Sequence, residues 1–137
     1  MTIEQLQAMS DEELNALAAK LRGWTIGKSQ PWTEGDWRVR YCDVYNESDG
    51  AVIPVDNWTP ATSRDQSGAL LEWAVAHGVE SKINIGSEPY IEITWPDAPE
   101  NLHSLNGADW IEILGSDARS QTIAFCAAML AIEGGSK

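Results

Sequence analysis

Two short stretches, "PYIEITW" and "DWIEIL", alternate isoleucine with glutamate. Successive side chains of a strand point to opposite faces, so this two-residue period gathers the isoleucines on one side and the glutamates on the other. Strands of that kind belong in an antiparallel sheet with one face on a core and one in water. "SKINIG" adds a neighbouring strand, and Gly or Pro turns separate the three. The same period in "WRVRYCDVY" sets Trp37, Val39 and Tyr41 against Arg38, Arg40 and Cys42, which predicts a strand buried on its Trp37 face. "NESDG" then turns the chain, and "AVIPV" returns as a strand that Pro54 confines to an edge.

Helices flank these strands. Thr2 with Gln5, and Ser10 with Glu13, form S/T-x-x-E/Q capping boxes, in which each side chain satisfies a backbone N–H that a helix start leaves unpaired. Leu14, Leu17, Ala18 and Leu21 follow at helical spacing up to Gly23, so helices are expected at about 3 to 8 and 11 to 22. Residues 24 to 36 show no period and read as a loop with a short strand at 24 to 27. A third helix spans about 63 to 77, with Leu70, Trp73, Ala74 and His77 inward and Gly78 at its end. The last, at 117 to 133, opens on Ser116 and Asp117 and buries Ile123, Cys126, Ala127 and Leu130. The expected fold is α+β: a mainly antiparallel sheet of four to five strands with helices packed on it, in one domain over residues 1–137. Its parts are helices at 3–22, a sheet and helix at 37–114, and the closing helix.

Charge narrows the partners. The net charge of −12 argues against bulk nucleic acid and anionic membranes. No apolar run approaches the roughly 18 residues of a membrane span, and the acidic start is unlike a signal peptide, so a cytoplasmic protein is expected. Cys42 and Cys126 fit no metal or disulfide spacing and read as reduced thiols, one in a strand and one in a helix. There are seven tryptophans, more than a domain this small buries, so some are expected to line a cleft or an oligomer interface.

Three stretches resemble the phage ABA sandwich domain family, small proteins of tailed phages and prophages named for an α/β/α arrangement. "IEQLQAMSDEELNALAAKLRGW" is similar to the family's capped helix ending in Gly-Trp, here Gly23 and Trp24. In "PATSRD", Pro60, Ser63 and Asp65 match its motif, while Thr62 stands for an aromatic residue and Arg64 for threonine. In "TIAFCAAML", Ala124, Cys126, Ala128 and Leu130 match, with Thr122 in place of proline. The resemblance implies the fold and a phage origin, and no general reaction.

The candidate chemistry lies in binding. His77 falls on a predicted buried stripe and His103 has no partner at metal or catalytic spacing. Neither a P-loop nor a G-x-G-x-x-G occurs, so no cofactor is expected and an enzyme is disfavoured. Arg64 raises a sharper question. A helix start already carries partial positive charge, so a cation there is unfavourable unless it points away or an anion intervenes. Arg38 and Arg40 share one strand face, and Arg64 and Arg119 sit at helix starts, an arrangement suited to phosphate. Pairing with neighbouring acids such as Asp65 and Asp117 is the structural alternative.

With Trp58, Tyr90 and Trp37 as stacking surface, and Ser63 and Asp65 at the helix start, these residues outline a site for a small anionic nucleotide-type ligand. The leading expectation is a phage protein that sequesters a cyclic nucleotide signal of host immunity in the cytoplasm of the infected bacterium, as a homo-oligomer. The alternative is an acidic interaction module, or a DNA mimic, that binds a host protein; a nucleotide-processing phage enzyme comes third. Convergence of Arg38, Arg40, Arg64 or Arg119 in one cleft favours sequestration, and dispersal favours the protein partner.

Overall fold

The computed structural model describes residues 3–34, 38–48, 50–95 and 110–135. Helices α1 (Ile3–Ala8) and α2 (Asp11–Leu21) open the chain. The Ser10 hydroxyl accepts from the Glu13 N–H at 3.1 Å, and the Glu13 carboxylate accepts from the Ser10 N–H at 2.9 Å, the reciprocal cap expected there. Gly23, at φ 92°, ends α2. Its own N–H donates to the Lys20 carbonyl and the Trp24 N–H reaches back to Ala19, so Trp24 turns inward as the helix stops. The Thr2–Gln5 pair lies outside the described residues.

Strands β1 (Thr25–Glu34), β2 (Arg38–Glu47) and β3 (Gly50–Pro54) form an antiparallel sheet in that order. The loop expected over 24 to 36 is therefore a ten-residue strand through Glu34. Its period was hidden because the β1–β2 register shifts between Gly27 and Gln30, where Ser29 takes φ 49° and resets the alternation. Asp43 of β2 holds this irregularity, accepting from the Ser29 N–H at 3.1 Å and the Lys28 ammonium at 3.2 Å. Pro31 is tolerated because β1 is an edge strand.

The burial expected along β2 is corrected. Val39 is 52% exposed and Tyr41 74%, whereas Val44 and Tyr45 are buried. Alternation builds the pleat, but burial needs an element above the face, and only the Tyr45 end of this hairpin reaches the core. Trp37 lies outside the described residues.

A 3-10 turn (Val55–Asn57) leads to α3 (Arg64–Val75). Ser67, Leu70, Leu71 and Ala74 form its buried face, and Trp73 is half-buried. His77 is not on that stripe: it is exposed beyond the helix end, its ring 4.1 Å from that of Trp73. Gly78, at φ 85°, closes the helix, with Val79 N–H on the Ala74 carbonyl and Gly78 N–H on Val75.

A second antiparallel sheet holds β4 (Glu80–Asn84), β5 (Tyr90–Thr94) and β6 (Trp110–Leu114), with β5 central. Ile91 pairs with Ile83 and Ile113, and Lys82 pairs with Glu92, so the predicted apolar and charged faces are both present. Ile91, Ile93 and Ile113 are buried. The α+β class is as expected, but among the described residues the strands divide into two sheets of three instead of one sheet of four to five. Pro31 and Pro54 lack the N–H groups a further neighbour would need along the outer strands of the first sheet.

Helix α4 (Ala118–Gly135) packs against α1, α2, α3, β5 and β6. Ile123, Ala124, Phe125, Cys126, Ala128 and Met129 are buried, which makes α4 apolar nearly all round and the centre of the core. A polar tie crosses this core, where the Ser67 hydroxyl lies 3.0 Å from the side-chain carbonyl of Gln121.

Candidate functional site

Of the eight site residues named from the sequence, Arg40, Trp58, Ser63 and Arg119 are bonded through their side chains within the chain. Arg38 and Arg40 share a face of β2 as expected; Arg38 is exposed, and Arg40 forms a two-pronged ion pair with Asp56 at 3.1 and 3.2 Å. That bond holds the Asp56 carboxyl below its ordinary range. Arg119 donates to Asp11 and to the backbone carbonyls of Gln7 and Met9, at 2.9 and 2.6 Å to the carbonyls, and so ties α4 to the α1–α2 corner. Arg64 is exposed at the start of α3 and acts on the carboxyl of Asp117, which is lowered chiefly by hydrogen bonds from Ser120. Arg64 makes no ion pair among the described residues, so its charge points into solvent at the helix start.

Ser63 is the N-cap of α3, its hydroxyl accepting from the Gln66 N–H at 3.3 Å, and Asp65 is exposed in the first turn. Tyr90 is half-buried at the start of β5. His103 lies outside the described residues. Cys42 and Cys126 are free thiols in β2 and α4, as expected, and burial pushes the Cys126 thiol up to about 12. Among the described residues, no three His, Cys, Asp or Glu side chains are placed to hold a metal, and no helix is long and apolar enough to cross a membrane.

Trp58 leads to a different site. It is 5% exposed, and its indole N–H donates to the Asn15 carbonyl at 2.9 Å. The Asn15 side-chain carbonyl accepts from the Ala61 N–H at 2.8 Å, so one residue of α2 fixes both sides of the turn before α3. Gln66 holds the same segment from below through the Thr59 N–H at 2.6 Å and the Asn57 carbonyl at 3.0 Å. The Trp58 ring meets Trp24 edge-on at 4.7 Å, and Trp24 lies 5.7 Å from Tyr45. These contacts join α2, β2 and the 55–59 segment around a cavity of about 430 Å³.

Asn15, Tyr45 and Trp58 form the buried floor of that cavity. Val55 and Thr59 line one side, and Glu12 and Asp56 are its exposed carboxylates. Burial raises the Tyr45 phenol, so it is a hydrogen-bond donor at neutral pH. Of the site residues named from the sequence that are described, Trp58 alone lines the cavity. Asn15 had a signal: it is a polar residue on the buried side of α2, beside Leu14 and Ala18. Tyr45 and Asp56 had none, because their approach to α2 is long-range.

The fifth arginine, Arg22, was also missed. Its guanidinium lies 4.6 Å from the Trp24 ring centre and 5.6 Å from that of Trp73. Burial lowers its pKa, partly opposed by Glu47. Comparison of the chain with protein-family models, curated proteins and solved structures finds no match.

Proposed function

We propose that this protein is an acidic interaction module that binds a protein partner and does not turn over a substrate. The observation that carries this reading is the engagement of two of the four candidate arginines. Arg40 and Arg119 are held by Asp56 and Asp11 of the same chain, while the cavity on Trp58 carries carboxylates. Anion capture would have to release those guanidinium groups from their partners first, so nucleotide sequestration has less support than a protein partner. The net charge of −12 steers a basic surface toward the molecule.

Val39 and Tyr41 add exposed apolar area on the β1–β2 hairpin, suited to a partner or to a homo-oligomer. The family resemblance supports a phage protein acting on a host factor in the cytoplasm of the infected bacterium, in an anti-defence role. Two titratable groups support binding over catalysis. Cys126 is sealed in the core with a raised pKa, and His77 lies against Trp73 with no nucleophile beside it among the described residues.

A thermal-shift panel of cyclic dinucleotides, cyclic trinucleotides and cyclic ADP-ribose isomers tests the reading. A ligand at about a hundredfold its dissociation constant adds about 2.7 kcal/mol of stability, a shift that would return the protein to nucleotide sequestration. The expected result is no shift, together with capture of one protein from the host lysate. The yield of that protein should fall when Val39 and Tyr41 are both replaced by serine.

A further inference from the structure

The cavity at Trp58 is floored by two largely buried side chains whose donor groups make no bond among the described residues. Asn15 is 9% exposed and Tyr45 4%. The Asn15 side-chain carbonyl is engaged by Ala61, which fixes the orientation of the amide and leaves its NH₂ group without a partner among the described residues. The Tyr45 hydroxyl is likewise without one among the described residues. Both donor groups open on the cavity instead of being sealed from solvent, so they are free to bond whatever enters it. Both residues line the same cavity, and both groups are donors. Its volume of about 430 Å³ falls in the range of sites that enclose a ligand.

The floor therefore calls for hydrogen-bond acceptors and the rim for positive charge. Glu12 has no ion-pair partner among the described residues, and Asp56 already accepts both prongs of Arg40, so these three side chains sum to one negative charge. A phosphate would enter against that net negative charge. A cation would gain from the carboxylates and from the aromatic wall. The chain uses that combination on itself nearby: Arg22 lies over Trp24, the ring that also contacts Trp58, with Glu47 as its carboxylate.

We infer that this cavity receives an arginine or lysine side chain from an extended segment of a partner protein, the cation held by Glu12 and Asp56 and backbone carbonyls of the segment accepting from Asn15 and Tyr45. The inference rests on the proposed function and names the chemistry of the partner. An extended segment supplies carbonyl acceptors on either side of the basic residue, which matches a floor of donors beneath an acidic rim.

The test is an amide NMR titration of the full chain with acetyl-Gly-Arg-Gly-amide, its citrulline counterpart, which is isosteric but uncharged, and its glutamate counterpart. The arginine peptide should shift the Asn15 side-chain amide and the Trp58 indole N–H with a dissociation constant of about 1 mM. Citrulline should bind at least about fivefold more weakly and glutamate not at all, since charge carries the discrimination. Tyr45→Phe and Glu12→Gln should each weaken the arginine peptide about threefold or more, with the rest of the spectrum unchanged. Equal binding of the citrulline peptide, or no movement of those two resonances at about 10 mM peptide, overturns the inference. If that happens while the partner is still captured, the cavity assignment falls alone. A nucleotide-induced thermal shift would instead remove the proposed function itself.

Discussion

The two sheets carry the same two-residue alternation and meet opposite ends. In β5 and β6, Ile91, Ile93 and Ile113 lie on the side packed by α4 and are closed off from water. In β2 the alternating Val39 and Tyr41 remain exposed, and burial begins only at Val44 and Tyr45, where α2 and the 55–59 segment approach. A pleat orients side chains; whether they are buried depends on a second element of the right length above them. The covered sheet stabilises the core. The uncovered hairpin leaves its apolar side chains in solvent.

The largest effect should come from the covered side. Phe125→Ala removes a fully buried ring from the centre of α4 and is expected to lower unfolding free energy by about 3–5 kcal/mol in a urea melt. Asn15→Ala probes the seam between the regions. It strands the Ala61 N–H, a loss of about 1–3 kcal/mol, and loosens the floor of the cavity without touching either sheet. Ser63→Ala should cost about 1 kcal/mol by uncapping α3, again by urea melt.

A pH series gives a smaller, signed effect. The folded-state pKa values of Asp43, Asp56 and Asp117 lie below the ordinary carboxylate value, through bonds from Ser29 and Lys28, Arg40, and Ser120 respectively. Their contribution is complete above the unfolded value of about 3.9 and is lost as pH falls through the lower folded values. The urea midpoint should therefore drop in that acid range, and Asp117→Asn should flatten the drop. The smallest change should be Tyr41→Ser on the uncovered hairpin, within about 0.5 kcal/mol of the native protein. A loss approaching that of Phe125→Ala would mean that this face is covered in solution.

Much of the secondary structure was legible. The Ser10–Glu13 cap, the end of α3 near Gly78 and the isoleucine strands are local signals, since each depends on residues within a few positions of one another. The β1 strand was missed for a local reason too: the bulge at Ser29 breaks the period that marks a strand. The site was far less legible. Trp58 was named as stacking surface for a phosphate ligand, yet it lines an acidic cavity with residues more than a dozen positions away, and Arg40 is bound to Asp56 across sixteen positions.

The sequence by itself determined the helix boundaries, most of the strands, the antiparallel α+β class and the strongly acidic character, because caps, periods and charge are properties of neighbouring residues and of composition. Only the tertiary structure decided which strand faces are covered, which arginines are engaged by carboxylates, and that Glu12, Asn15, Tyr45, Asp56 and Trp58 share one cavity. Those are meetings between segments far apart in the chain. They follow from how α2, β2 and the turn before α3 pack together, a geometry to which local spacing contributes no signal.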